Sequence, residues 1–290
     1  MTTTVAFLGL GVMGFPMAGH LSKHFNVNVY NRTTSKAQNW AERYSGKAFE
    51  NPRDAVVDAD FVCVCIGRDQ DVIEMMEAQS IASVMKPGTI VIDHTTTSAL
   101  LAERMSALAE QYGIHYLDAP VSGGQAGAEN GCLTTMVGGN LSAYEKALPV
   151  MQAYSQKVAH MGASGAGQRT KMVNQICIAG LLQGLSEAMQ FAQQAELDGD
   201  KVLDVISKGA AQSWQMENRG HTMLKGEYDF GFAVDWMRKD LGYAIEEGNR
   251  NNSLLPVTAL VDQFYAEVQA MGGGRWDTSS LMARLAKTQS

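Results

Sequence analysis

The sequence has four cysteines in 290 residues, Cys63, Cys65, Cys132 and Cys177. None forms a C-x-x-C pair and no second pair supplies zinc spacing, so they are expected to be small buried hydrophobes in a reducing compartment, and no metal site is expected. Charge is also scarce: 18% of residues are charged, the formal net charge is −7, and no basic stripe occurs. That pattern argues against nucleic acid as a partner. No run of about 18 apolar residues passes without a charge or an amide, which removes the signal for a membrane span. The opening M-T-T-T-V-A-F-L-G has no basic stretch ahead of an apolar one, so it is not read as a signal peptide. A soluble cytoplasmic protein is expected. Apolar residues, by contrast, make up 46% of the chain, enough for a sizeable core and too many for disorder.

The first half alternates strand-like and helix-like segments. Val5–Leu8, Val27–Tyr30, Asp60–Ile66, Thr89–Asp93, His115–Ala119 and Thr134–Gly138 read as strands. Residues 13–24, Ser35–Tyr44 and Ser98–Tyr112 read as helices. Strands separated by helices imply βαβ units, hence an α/β fold built as a Rossmann-like, doubly wound parallel sheet. After about residue 160 the strand signals stop. Helices are expected at 166–195, 199–208, 233–249, 256–271 and 278–288. The glycines of M-G-A-S-G-A-G (161–167) mark the change, giving a dinucleotide-binding domain over 1–163 and an all-helical domain over 164–290, with a long interdomain helix from about 166.

The first strand runs into F-L-G-L-G-V-M-G (7–14), which places Gly9, Gly11 and Gly14 at G-x-G-x-x-G-like spacing. The first glycine permits a tight turn, the second lets backbone approach a pyrophosphate, and the third lets helix and strand pack closely. The helix that follows offers its N-terminal N–H groups to the anion. The next strand ends V-Y-N-R-T-T-S-K. An NAD site calls there for an Asp or Glu to hold the ribose 2′-hydroxyl, and none is present. Asn31, Arg32, Thr33 and Lys36 instead supply donors and positive charge, which suits a 2′-phosphate. NADP is therefore expected, with NAD as the alternative. Solvated surface cations are the plain reading of Arg32 and Lys36.

D-A-P-V-S-G-G (118–124) follows a later strand, and Pro120 stops that strand from running on. Ser122, Gly123 and Gly124 can present a hydroxyl and successive N–H groups to a carboxylate, or form a plain turn. Thr95 and Thr96 also follow a strand, where ligands cross strand ends. In G-Q-R-T-K-M-V-N-Q-I-C-I-A-G-L-L (167–182), Lys171, Asn174 and Gln175 share one stripe of an otherwise apolar helix. A lysine beside apolar surface has a lowered pKa that suits acid–base work. The simpler reading is a stem lying on apolar surface with its head in water. Position at a domain boundary favours the functional reading.

These segments together resemble the β-hydroxyacid dehydrogenase family, which includes 3-hydroxyisobutyrate dehydrogenases and glyoxylate, tartronate and succinic semialdehyde reductases. The resemblance rests on G-L-G-V-M-G-F-P-M (9–17), I-D-H-T-T (92–96), D-A-P-V-S-G-G-Q-A-G-A (118–128), G-A-G-Q-R-T-K-M-V-N-Q (165–175), K-D-L (239–241) and G-R-W-D-T-S (274–279). It implies that Gly9, Leu10, Gly11, Val12, Met13 and Gly14 cradle the pyrophosphate, with Asn31, Arg32 and Thr33 as in NADPH-using members. It further implies Thr96 near the nicotinamide, Ser122, Gly123 and Gly124 on the substrate carboxylate, and Lys171 as the proton donor or acceptor. Asn174 or Gln175 would hold the substrate oxygen. Phe232 and Lys239 resemble the family's cofactor-facing residues, with Asp240 beside them. Members pair their helical domains as homodimers or homotetramers. Gly67 stands where many members have proline. In S-W-Q-M-E-N-R-G (213–220), Trp214, Glu217 and Arg219 line the substrate pocket or belong to a helix cap.

The implied activity is hydride transfer between a nicotinamide and a small carboxylate-bearing β-hydroxyacid or its semialdehyde. Alternatives are an imine reductase, a 6-phosphogluconate dehydrogenase-like relative, or a non-catalytic nucleotide-binding protein. Lys171 weighs against the first, and the short helical half against the second. Retention of the lysine, the amides and the S-G-G loop weighs against the third.

Overall fold

Val5, Ala6, Phe7 and Leu8 are all completely buried, because the sheet to which they belong is covered on both faces. The structure, a computed structural model, describes residues 3–287. Its strands are β1 (Thr4–Leu8), β2 (Asn26–Tyr30), β3 (Lys47–Phe49), β4 (Phe61–Val64), β5 (Ile90–Asp93), β6 (His115–Asp118), β7 (Val121–Ser122), β8 (Leu133–Gly138) and β9 (Ser155–Gly162). They form one sheet in the order β3-β2-β1-β4-β5-β6-β8-β7, with β9 also paired to β8. β1 through β6 are mutually parallel. The expectation of a parallel sheet needs one correction: β8 lies antiparallel to β6 and to β7. β7 follows β6 after two residues, Ala119 and Pro120, too short a connection for a crossover helix.

The helices of this half are α1 (Gly14–Leu21), α2 (Thr34–Arg43), α3 (Pro52–Val56), α4 (Asp69–Ile73), α5 (Ala99–Gln111), α6 (Gly124–Glu129) and α7 (Leu141–Gln152). Strand alternation sorts the core into two layers. Val5, Phe7, Val29, Cys63, Ile92 and Leu117 face Met17 and Leu21 of α1, Trp40 of α2 and Val150 of α7. Ala6, Leu8, Val62, Val64, Val91 and Tyr116 face Ala55 and Val56 of α3 and Leu101 and Met105 of α5. The chain fills the sheet outward from β1 to β3, then restarts at β4 on the other side of β1. That reversal is the switch point at which ligands bind in such sheets.

From residue 163 onward every regular element among the described residues is helical: α8 (Ala166–Gln194), α9 (Gly199–Ile206), α10 (Trp214–Lys225), α11 (Val234–Asn251), α12 (Pro256–Ala270) and α13 (Leu281–Lys287), with a 3-10 turn at Thr278–Ser280. Leu182, Leu185 and Met189 of α8 form a core with Leu203, Met223, Met237, Leu241, Val261 and Tyr265. The chain divides into two units, one ending at Lys171 and the next starting at Met172. The division falls later than residue 163 because the first turns of α8 are bonded to the sheet unit, through Gly165 and Gln168 to Asp118. Residue 288 of the last expected helix lies outside the described residues.

Candidate active site

The glycine turn closes β1 at the switch point. Gly9 has φ +103°, and a Cβ on it would stand 2.2 Å from Cys65 O at the end of β4. A Cβ on Gly14 would stand 2.0 Å from Gly9 O, so α1 starts against the turn only because that side chain is absent. Gly11 differs. Its φ is outside the left-handed region and a Cβ there would meet no atom within 4 Å. Leu10 has its side chain in the core, Val12 is exposed, and Met13 stands at the α1 N-cap position with no side-chain cap bond.

Asn31 follows β2. Its Oδ1 accepts from Leu10 N–H at 2.9 Å and its Nδ2 donates to Thr33 O at 3.1 Å, so its side chain ties β2 to the glycine turn. Arg32, Thr33 and Lys36 are exposed next to it. The Arg32 side chain is 86% exposed, and its Nη1 lies 3.9 Å from Asp71 Oδ1.

Beyond the ends of β5 and β6 the polar groups form one buried network. Asp93 accepts from Thr95 N–H at 2.9 Å and from the Tyr116 hydroxyl. Burial pushes its carboxyl up to about 6, against the pull of those bonds. Gln168, on the first turn of α8, donates from Nε2 to Thr95 O at 2.8 Å and accepts at Oε1 from Thr97 N–H at 3.1 Å. Half-buried Thr96 sits in the loop that Gln168 thereby holds. Asp118 accepts from Gly165 N–H at 2.8 Å and Gln168 N–H at 2.9 Å. Burial lifts its carboxyl to about 6, and these N–H groups oppose the rise. His94 Nδ1 contacts Ala119 O at 2.7 Å and Nε2 contacts the Tyr154 hydroxyl at 2.8 Å. A carbonyl only accepts, so Nδ1 carries the proton and Nε2 accepts from the tyrosine. Burial pulls His94 down to about 4, which keeps it neutral.

Lys171 is 7% exposed, and its Nζ donates to Val121 O at 3.0 Å. Val121 immediately precedes Ser122, Gly123 and Gly124. Ser122 is half-buried, and the two glycines are exposed with φ +131° and +60°. A side chain would strain both positions, so the loop presents backbone.

In the second unit Asn174 Nδ2 donates to Gln175 Oε1 at 2.8 Å, and Gln175 Nε2 donates to Asp240 Oδ2 at 2.7 Å. Lys239 Nζ lies 3.3 Å from Asp240 Oδ1 and 5.4 Å from the Trp236 ring centroid. Four expected site residues thus form one chain. Phe232 belongs to a different group: its N–H donates to Asp277 Oδ2 at 2.9 Å. Asp277 also accepts from Arg219 Nε at 3.1 Å, and Arg219 lies 4.9 Å from the Trp214 ring. Ser213 caps α10 by accepting from Met216 N–H at 3.1 Å, and Trp214 is exposed on its first turn.

Asp93, His94, Asp118, Gln168 and Asp277 carry no role in the expectations from sequence, although each lies inside one of the motifs that carry the family resemblance. Among the described residues no group of three or more His, Cys, Asp or Glu side chains is placed to hold a metal ion, and no helix is long and apolar enough to cross a membrane.

Residues 4–162 match the family model for the NAD binding domain of 6-phosphogluconate dehydrogenase. Residues 165–285 match that for the NAD-binding region of NADP-dependent 3-hydroxyisobutyrate dehydrogenase. An uncharacterized oxidoreductase of Shewanella frigidimarina is 59% identical, with 99% of each chain covered. The 2-(hydroxymethyl)glutarate dehydrogenase of Eubacterium barkeri is 34% identical over 96% of this chain and 93% of its own. The structure of Mycobacterium tuberculosis 3-hydroxyisobutyrate dehydrogenase with L-serine superposes with a TM-score of 0.90 at 30% identity, covering 98% of this chain and 99% of that one.

Proposed function

The chain belongs to the β-hydroxyacid dehydrogenase family of NAD(P)-dependent oxidoreductases, and from that premise we propose a substrate class and a role for Lys171. The substrate is a small β-hydroxyacid or its semialdehyde, and Lys171 moves the proton. The observation that carries this reading is a buried amine 3.0 Å from Val121 O, one residue before the S-G-G loop. In carbonyl reduction the ammonium gives a proton to the substrate oxygen. In alcohol oxidation the neutral amine takes one from the hydroxyl. Burial of Lys171 shields that proton from bulk water. Ser122, Gly123 and Gly124 hold the substrate carboxylate through a hydroxyl and backbone N–H groups.

The nicotinamide, when bound, supplies or accepts the hydride. The glycine turn fits a dinucleotide, since Gly11 alone of its three glycines has no neighbour that would exclude a side chain. Backbone of Gly9, Leu10, Gly11, Val12, Met13 and Gly14 would hold the pyrophosphate. Arg32, Thr33 and Lys36 would hold a 2′-phosphate, which favours NADP over NAD. Thr96, Phe232 and Lys239 would serve the cofactor. Asn174 or Gln175 would hold the substrate oxygen, and Asp240, which accepts from Gln175 Nε2 at 2.7 Å, would orient the bonded pair. Trp214 would contribute to the choice of substrate. The exposed apolar positions Val173, Leu181 and Phe191 along α8 support self-association as a homodimer or homotetramer.

The test is NADPH and NADH oxidation with glyoxylate and with succinic, tartronic and methylmalonic semialdehydes, run in reverse with 3-hydroxyisobutyrate and serine. Turnover that prefers NADPH and collapses in Lys171→Ala supports the reading. Preference for NADH sinks the 2′-phosphate assignment, and full activity of Lys171→Ala sinks the lysine assignment.

A further inference from the structure

We propose that Asp118 is a positioning residue for Lys171, fixing the helix that carries the lysine against the loop that binds the substrate carboxylate. The inference rests on the catalytic reading of Lys171 above. An ordinary helix start is satisfied by a nearby Ser, Thr, Asp or Asn. α8 is satisfied from 47 positions away in sequence: Asp118 Oδ1 takes Gly165 N–H at 2.8 Å, and Oδ2 takes Gln168 N–H at 2.9 Å. A carboxylate also complements the positive end of the helix dipole, and α8 runs 29 residues.

The second link is the lysine itself. Asp118 and Val121 are the ends of one four-residue segment, D-A-P-V. At one end the carboxylate grips the first turn of α8, and at the other the Val121 carbonyl takes the Lys171 ammonium at 3.0 Å. The segment is anchored independently, since Ala119 N–H donates to Asp93 O at 2.7 Å and Pro120 O accepts from Met136 N–H at 3.1 Å. Ser122, Gly123 and Gly124 continue from it. The spacing between amine and S-G-G loop is therefore set by bonds from Gly165 N–H, Gln168 N–H and the Lys171 amine, at the start of α8, to the two ends of this segment.

The site has no slack. A Cβ on Gly167 would stand 2.4 Å from Asp118 O, and one on Gly138 would stand 2.5 Å from Asp118 Oδ1. Two glycines let helix and strand close on the carboxylate. Gln168 adds the Thr95–Thr97 loop to the same helix turn.

Asp118→Asn keeps the volume but turns one acceptor into an NH2 that faces a backbone N–H. The expected result is a fall in kcat of about 10- to 100-fold, the size associated with misplacing a catalytic group by about an ångström. The NADPH dissociation constant, read by fluorescence titration, should change far less than kcat, since Asp118 reaches the cofactor residues only through Gln168 and the Thr95–Thr97 loop. A readout independent of turnover is reductive methylation of lysines, followed peptide by peptide with mass spectrometry. Lys171 should react several-fold faster in the variant while the other lysines keep their rates. If Asp118→Asn does not fold, Asp118→Ser, which keeps one hydroxyl acceptor, is measured the same way. Wild-type kcat and Lys171 labelling in the variant, with Lys171→Ala inactive, overturn the positioning role alone. An active Lys171→Ala overturns the lysine reading and the positioning role together.

Discussion

Gly11→Ala and Gly14→Ala separate what a ligand requires of the glycine turn from what the protein requires of itself. A methyl on Gly14 would stand 2.0 Å from Gly9 O and 2.9 Å from Phe7 Cε1. An ordinary carbon–oxygen contact is longer by more than an ångström, so α1 must move off β1. Overpacking of this kind costs about 1–3 kcal/mol, or about 3–10 °C in Tm for a unit of this size. A methyl on Gly11 meets nothing within 4 Å and its φ is ordinary. There the unfolded chain loses freedom and the folded one loses nothing, which stabilises by about 0.4–1 kcal/mol, or about 1–4 °C. If the pyrophosphate runs across Gly11, the same methyl occupies its path, and NADPH affinity falls by at least about tenfold, equivalent to about 1.4 kcal/mol. Thermal unfolding with and without NADPH, together with fluorescence titration, reads both quantities. Gly11→Ala should melt at or above wild type and lose the stabilisation by NADPH. Wild-type affinity in Gly11→Ala would refute the placement of the pyrophosphate, and a lowered Tm would refute the claim that nothing in the protein needs this glycine.

Arg32→Ala removes an 86% exposed guanidinium that lies 3.9 Å from the Asp71 carboxylate. A charge-assisted bond to a phosphate is worth about 1.5–3 kcal/mol, so KM for NADPH should rise about 10- to 100-fold while KM for NADH holds. An unchanged NADPH/NADH ratio counts against the assignment. Asp93 is lifted by burial from 3.8 to about 6, so across that interval it holds more protons folded than unfolded. Its contribution to stability therefore declines as pH rises through the interval and is constant above it. Urea unfolding at several pH values should show the stability of Asp93→Asn minus that of wild type rising between pH 4 and 6 and then levelling; a difference that falls over that range refutes the burial argument. Asp277→Ala strips the partner from the largely buried Arg219 and the acceptor from Phe232 N–H. Breaking a buried pair on one side costs about 3–5 kcal/mol, and urea unfolding that shows under 1 kcal/mol would mean Arg219 finds water instead.

The legible parts of the fold are those whose burial leaves a mark on composition. β1, β4 and β5 are covered on both faces, so each is a run of apolar residues between breaks. β9 was not legible because Gln156 and Lys157 are exposed and its burial has no period of two. Its place comes from pairing with β8, including two register shifts that local sequence does not encode. β3 and β7 are three and two residues long, too short for any pattern. α10 was hidden by Gly220 in its middle, where a Cβ would stand 2.7 Å from Leu203 Cδ2. Helix propensity is sacrificed there for close packing against α9. α7 carries Pro149 within its span, which weakens the same signal.

The candidate site is marked in the sequence only as a set of motifs, and the task of each residue within a motif is not. Asn31 has the sequence position of a donor to the cofactor, and its side chain holds Leu10 N–H and Thr33 O. Sequence does not distinguish Gln175 from Asn174, and Gln175 bridges Asn174 to Asp240. Asp118 has no expected role from sequence, and it accepts N–H groups 47 and 50 positions away. Short polar side chains suit both tasks, because the groups that recognise a ligand also satisfy backbone, and spacing along the chain constrains both equally. What separates the two is the direction of the bond, which only the folded chain defines. A side chain bonded to backbone is required whether or not a ligand is bound, so its removal lowers Tm in the free protein. A side chain aimed at a ligand is idle until the ligand arrives, so its removal lowers only the stabilisation that the ligand confers. Thermal unfolding with and without NADPH thus sorts Asn31 from Arg32, two neighbours in one motif: Asn31→Ala should lower the ligand-free Tm, and Arg32→Ala should lower only the NADPH-dependent increment.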